Sequence, residues 1–96
     1  MEHERVISEI ESYARRYLFE PAGNWPKYWF KQRSYRRWAA EELIELLKKD
    51  KSTPAQIQIE KFIHKMDMYS TMNQSSSWIF AVARDEAENI YDILFL

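Results

Sequence analysis

The chain has no cysteine, one glycine and three prolines in 96 residues. Without thiols, disulfides and thiolate metal sites are excluded, and a cytoplasmic setting is expected over a secreted one. So few turn-formers leave no source for the many tight turns of an all-β domain. No apolar run approaches the roughly 18 residues that a membrane-spanning helix needs. The opening MEHERVISEI is acidic and amphipathic, unlike the basic-then-apolar pattern of a secretory leader. No Ser–His–Asp order, phosphate loop or paired-acid motif occurs, and His64 is the only histidine away from the opening residues. A non-enzyme with neither cofactor nor metal is therefore expected.

What is present is a globular balance of 46% hydrophobic and 30% charged residues. The length suits one helical domain over 1–96. Such a small domain has a modest core, which the 16% aromatic content helps to fill. The net charge of −1 is unevenly spread: residues 1–40 carry eight Lys/Arg against five Asp/Glu, residues 41–96 six against ten.

Apolar spacing predicts four helices. In the first, from about Glu2 to Phe19, Val6, Ile7, Ile10, Tyr13, Ala14, Tyr17 and Leu18 share a face. The second covers Tyr35 to Lys49, with Tyr35, Ala39, Leu43, Leu46 and Leu47 on one side. Its start is open between Ser34 and a longer helix capped by Asn24 with Pro26 in the first turn. The third begins at the capping-box sequence Thr53-Pro54-Ala55-Gln56 and carries Ala55, Ile59, Phe62, Ile63, Met66 and Tyr69. The fourth follows Ser77, with Ile79, Val82, Ala83, Ala87, Ile90, Ile93 and Leu94 aligned. No segment alternates with a period of two. The expected fold is all-α, a compact bundle of four main helices with antiparallel neighbours.

The segments SYRRWAAEELIELL, IEKFIHKMDMYSTMN and SWIFAVARDEAENIYDIL, within residues 34–96, resemble small uncharacterised proteins encoded in prophages and other mobile elements of Firmicutes. The resemblance brings no activity and no site residues. It implies a phage-type origin, where small single-domain proteins act by binding host machinery.

Residues 25–38, WPKYWFKQRSYRRW, hold five basic residues, six aromatics and no acid. Rings stack on bases and guanidinium groups pair with phosphates, so Trp29, Arg33, Tyr35, Arg36, Arg37 and Trp38 are the candidate ligand-binding residues. A bland alternative is an aromatic-rich connection covered by arginine stems. Should the second helix start at Ser34, the three arginines would crowd its positive end, a conflict that a bound anion would remove.

Three further groups stand out. Glu86 falls on the wheel among Ile79, Val82, Ile90 and Ile93, where a carboxylate needs a rim position or an arginine of the second helix. Glu60, His64 and Asp67 lie together on the third helix, but on the face opposite its apolar stripe, so a solvated surface is expected there rather than a metal. Met68 and Ile57 share that outer face and form a minor interaction candidate. The last helix, ending IYDILFL, reads as apolar nearly all round because Tyr91 and Phe95 project away from Ile90, Ile93 and Leu94. This predicts a homo-oligomer interface at Tyr91, Leu94 and Phe95.

The functional expectation is a small binding protein that takes or sequesters an anionic ligand, a nucleotide or a nucleic acid. The alternative is a protein-blocking inhibitor of a host defence or regulatory complex that engages an acidic host protein. A structural subunit is the third class.

Overall fold

The computed structural model describes residues 2–18, 27–72 and 77–96, with the side chains of 27–31 and 77 outside the described set. Four helices account for nearly all of it: α1 (Glu2–Tyr17), α2 (Lys27–Lys49), α3 (Ala55–Met72) and α4 (Ser77–Phe95). The protein is an all-α four-helix bundle, and no strand occurs among the described residues. None of the helices is long and apolar enough to cross a membrane.

Acids in the first turn of α1, Glu2 and Glu4, and bases in its last, Arg15 and Arg16, suit the helix dipole. Lys48 and Lys49 do the same at the end of α2. The second helix takes the longer of its two expected forms, so Arg33, Arg36 and Arg37 lie inside it. With α2 already under way from Lys27, no helix N-terminus lies at Ser34 to draw an anion. The proposed cap Asn24 and Pro26 lie outside the described residues.

The start of α3 departs from the expected capping box. The first helical bond runs from the Gln58 amide to the Pro54 carbonyl. Thr53 Oγ1 donates to Asp50 Oδ2 at 2.6 Å instead of capping the helix. Gln56 reaches sideways to the Tyr91 hydroxyl, 2.7 Å away, instead of back to Thr53. Asp50 organises this turn, because its Oδ1 also accepts from the backbone and hydroxyl of Ser52. Those donors hold the Asp50 carboxyl well below the usual carboxylate range, the Thr53 hydroxyl contributing most.

Contacts at both ends set the topology. His3 Nε2 lies 2.8 Å from the Thr53 carbonyl. Gln58 Nε2 lies 3.1 Å from the same ring nitrogen and donates to the Thr53 carbonyl at 2.9 Å. These contacts tie the start of α1 to the α2–α3 connection. At the other end Arg33 of α2 donates to the Leu18 carbonyl just past α1. Tyr35 meets Trp78 edge-on at 5.1 Å, and Gln56 meets Tyr91. Sequential helices are thus antiparallel, and α2 runs parallel to α4.

One core draws on all four helices: Val6, Ile10 and Ala14 from α1, Leu43 and Leu47 from α2, Ile59 and Phe62 from α3, Ala83, Ala87 and Ile90 from α4. The small residues Ala39, Ala40, Ala83 and Ala87 are fully buried. They let α2 and α4 approach closely across the diagonal, while α3 packs on α4 and α1 on α2. The bundle is therefore flattened, and its α1/α4 and α2/α3 seams stay more open. Four residues assigned to core faces by spacing are exposed instead: Tyr17 is 57% exposed, Leu46 38%, Tyr69 37% and Ile93 56%.

Candidate functional site

The α1/α4 seam holds a cavity of about 200 Å³ lined by Tyr13, Tyr17 and Leu18 of the first segment, Arg33 and Arg36 of α2, and Glu86 and Asn89 of α4. Each side chain arrives by helical spacing. Tyr13 and Tyr17 are one turn apart on α1, with ring centroids 5.4 Å apart. Arg33 and Arg36 are three apart on α2, as are Glu86 and Asn89 on α4, so each pair faces the same seam.

Glu86 is the electrostatic centre. Only 1% of it is exposed, and an isolated carboxylate at such a depth would be costly. Arg36 Nη1 donates to its Oε1 at 2.8 Å, and the Tyr13 hydroxyl donates to its Oε2 at 2.6 Å. Asn89 in turn donates to the Tyr13 oxygen at 2.7 Å. The network runs from the core to the surface and links α1, α2 and α4. Burial pushes the Tyr13 hydroxyl far above its usual value, and the hydrogen bond to Glu86 adds to the effect. The phenol therefore stays a proton donor throughout the physiological range.

Of the two readings of Glu86, the ion pair with an arginine of α2 is the one observed, in a buried position and not at a rim. That pairing splits the three arginines. Arg36 turns inward to Glu86. Arg33 shares the same cavity wall but donates to the Leu18 carbonyl. Arg37 turns outward to Glu41, 3.1 Å away in an exposed i,i+4 pair. Tyr35 packs edge-on against Trp78, and Trp38 lies against Phe62 with centroids 6.3 Å apart. The structure thus brings Arg33 and Arg36 together and separates them from Arg37, Tyr35 and Trp38. The Trp29 side chain lies outside the described residues.

Comparison of the chain with protein-family models, curated proteins and solved structures found no match. The site's chemistry rests on its geometry alone. Tyr13 and Asn89 escaped the sequence reading: Tyr13 looked like one more residue of the apolar face, and Asn89 like a surface polar residue. The one available signal was Glu86, a carboxylate among isoleucines that required donors nearby.

The remaining candidates sit elsewhere. Glu60 receives the Tyr91 hydroxyl at 3.3 Å and Asp67 pairs with Arg84 at 2.8 Å, so both acids turn toward α4. No group of residues able to hold a metal ion occurs among the described residues. Tyr91, Leu94 and Phe95 are half-buried and pack against the chain's own core. Tyr91 and Phe95 pair with each other at 5.2 Å, and α3 supplies the hydroxyl's partners. The apolar girdle expected around α4 is thus largely covered from within the chain, with Ile93 exposed near its end and Trp78 near its start.

Proposed function

We propose that this chain is a small, non-catalytic binding protein that takes up an anionic ligand, a nucleotide or a nucleic acid, at the cavity formed by α1, α2 and α4. The observation that carries the reading is the cavity wall itself. Two guanidinium groups, Arg33 and Arg36, face one carboxylate, Glu86, with the rings of Tyr13 and Tyr17 beside them. The formal balance of that wall is one positive charge. About 200 Å³ is less than a typical whole-ligand site, so the cavity suits a phosphate group with the remainder of the ligand outside. Tyr17 is exposed at the mouth and offers a face for a base to stack on. Arg15 and Arg16 lie exposed on the same end of α1 and extend the positive field. The setting we propose is cytoplasmic, and the origin phage or mobile-element.

Arg36 also holds Glu86, so the test leaves it intact. Fluorescence polarisation with a labelled single-stranded oligonucleotide and with a labelled nucleoside triphosphate, each at 50 and 200 mM salt as working concentrations, reads the interaction. The wild type should bind at least one probe, more weakly at high salt. Arg33→Gln should weaken binding and lower the oligonucleotide salt slope by about one. Tyr17→Ala should weaken binding through lost stacking, worth roughly 1–3 kcal/mol per base. Failure of the wild type to bind either probe would overturn the reading. In that case the charged surface is left to an acidic host protein, as a blocking inhibitor would use it, and Arg37→Glu should then slow association more than it speeds release.

A further inference from the structure

The outward face of α3 exposes large apolar side chains among bases. Ile57 is 43% exposed, Met68 44% and Met72 70%, and all three lie on one stripe with Lys61, His64 and Lys65. At 100° per residue these six positions fall within about 100° of arc. The two acids of α3 that flank the stripe are turned aside, Glu60 toward Tyr91 and Asp67 toward Arg84. The stripe is therefore apolar and positive. It continues into the open α2/α3 seam, where a cavity of about 310 Å³ has Leu46 and Phe62 among its walls and three lysines, Lys49, Lys61 and Lys65, against two acids, Glu42 and Asp50. Ile57, Met68 and Met72 on α3, with Leu46 beside them on α2, expose four large apolar side chains, a patch of the kind that marks a docking surface.

The same chain carries the complement. On α4 the exposed residues Trp78, Asp85, Glu88, Asn89, Asp92 and Ile93 form one outward stripe, which Leu96 extends past the helix end. Arg84, the only base on α4, is turned to Asp67 and Asp85. With Asp85 paired to Arg84, Glu88 and Asp92 give this stripe its negative charge beside the apolar Trp78, Ile93 and Leu96. Intramolecular pairing along the α3/α4 contact thus sorts the charges, leaving lysines outward on one helix and acids outward on the other. The two faces lie on different sides of the bundle, so they cannot meet within one molecule.

We propose that copies of this chain associate head to tail, the acidic outward face of α4 on one copy seating on the lysine- and methionine-bearing face of α3 on the next. Such a contact is heterologous: it joins two different patches, and it builds rings or open chains instead of a closed two-fold dimer. Methionine suits the receiving side because its flexible thioether adapts to an incoming surface. The proposal does not use Tyr91, Leu94 and Phe95 and shares only Asn89 with the anion cavity; Lys61, Lys65, Glu88 and Asp92 lie outside that cavity, so changing them tests the association independently of the ligand reading.

Light scattering and sedimentation of the full chain over a range of concentrations read the association. The mass should grow with concentration beyond a dimer and fall as salt is raised. Lys61→Glu with Lys65→Glu should raise the dissociation constant about tenfold or more, and so should Glu88→Lys with Asp92→Lys. Mixing the two variants should restore association, because each then offers the charge the other lacks. All four positions are exposed, and circular dichroism of each variant checks that the helices persist. A wild type that stays monomeric at high micromolar concentration would overturn the proposal. So would either variant that associates as well as the wild type, since a two-fold contact needs only one of the faces. A mixture that remains monomeric would do the same.

Discussion

Replacing Arg36 with methionine isolates the contribution of the Glu86 network. Methionine keeps the stem that packs in the seam and removes only the guanidinium. Glu86, 1% exposed, then loses a charge-assisted bond of 2.8 Å and keeps only the Tyr13 hydroxyl at 2.6 Å. Breaking a buried pair by deleting one partner costs about 3–5 kcal/mol. Arg36 is itself 28% exposed, which lets some water reach the vacated side, and Tyr13 still donates. The expected cost is therefore at the lower end, about 3 kcal/mol. In a domain of this size that corresponds to a fall in Tm of roughly 12–24 °C. The reverse deletion, Glu86→Gln, should cost less, about 1–2 kcal/mol, because the guanidinium left behind can turn toward solvent. The double change Arg36→Met with Glu86→Leu should recover most of the loss, since no buried charge remains. Thermal and urea unfolding followed by circular dichroism measure all three. A fall in Tm of less than about 4 °C for Arg36→Met, about 1 kcal/mol at most, would refute the argument that Glu86 depends on this partner.

Two further substitutions test the polar network and the α2–α3 turn. Tyr13→Phe removes a donor to a carboxylate and should cost about 1.5–3 kcal/mol. Because the folded state holds the Tyr13 proton more tightly than the unfolded chain, that contribution is complete below pH about 10 and is lost as pH rises above it. A pH series of urea midpoints should therefore show a shallower alkaline decline for Tyr13→Phe than for the wild type. Asp50→Ala acts at the opposite end of the scale. The folded state holds the Asp50 carboxyl low, so its contribution is present above about pH 4 and fades as acid protonates it. The acid limb of the stability profile should flatten in Asp50→Ala, and an unchanged limb would show that the turn does not depend on this carboxylate.

Periodicity alone determined the helical class and most of the core. Val6, Ile10 and Ala14 repeat at a spacing that suits nothing but a helix with one buried side, and they are buried. The wheel position of Glu86 likewise required a donor from another element, because a lone carboxylate among isoleucines is too costly to leave unpaired. Which arginine would supply it was not legible. Arg33, Arg36 and Arg37 are alike in the sequence, and only the close diagonal approach of α2 and α4 brings Arg36, and neither of the others, to hydrogen-bonding distance of Glu86. The same limit explains Tyr17, Leu46, Tyr69 and Ile93. A spacing of three and four residues says which side chains share a face, but the width of that face that a neighbour covers depends on how closely the helices cross. Alanines on α2 and α4 draw those two helices together, so the seams beside them open. One seam becomes the cavity between Tyr13 and Arg36, and the other leaves Leu46 exposed. A tertiary arrangement of four helices decides this, because it is a property of pairs of surfaces and no single stretch of chain encodes it.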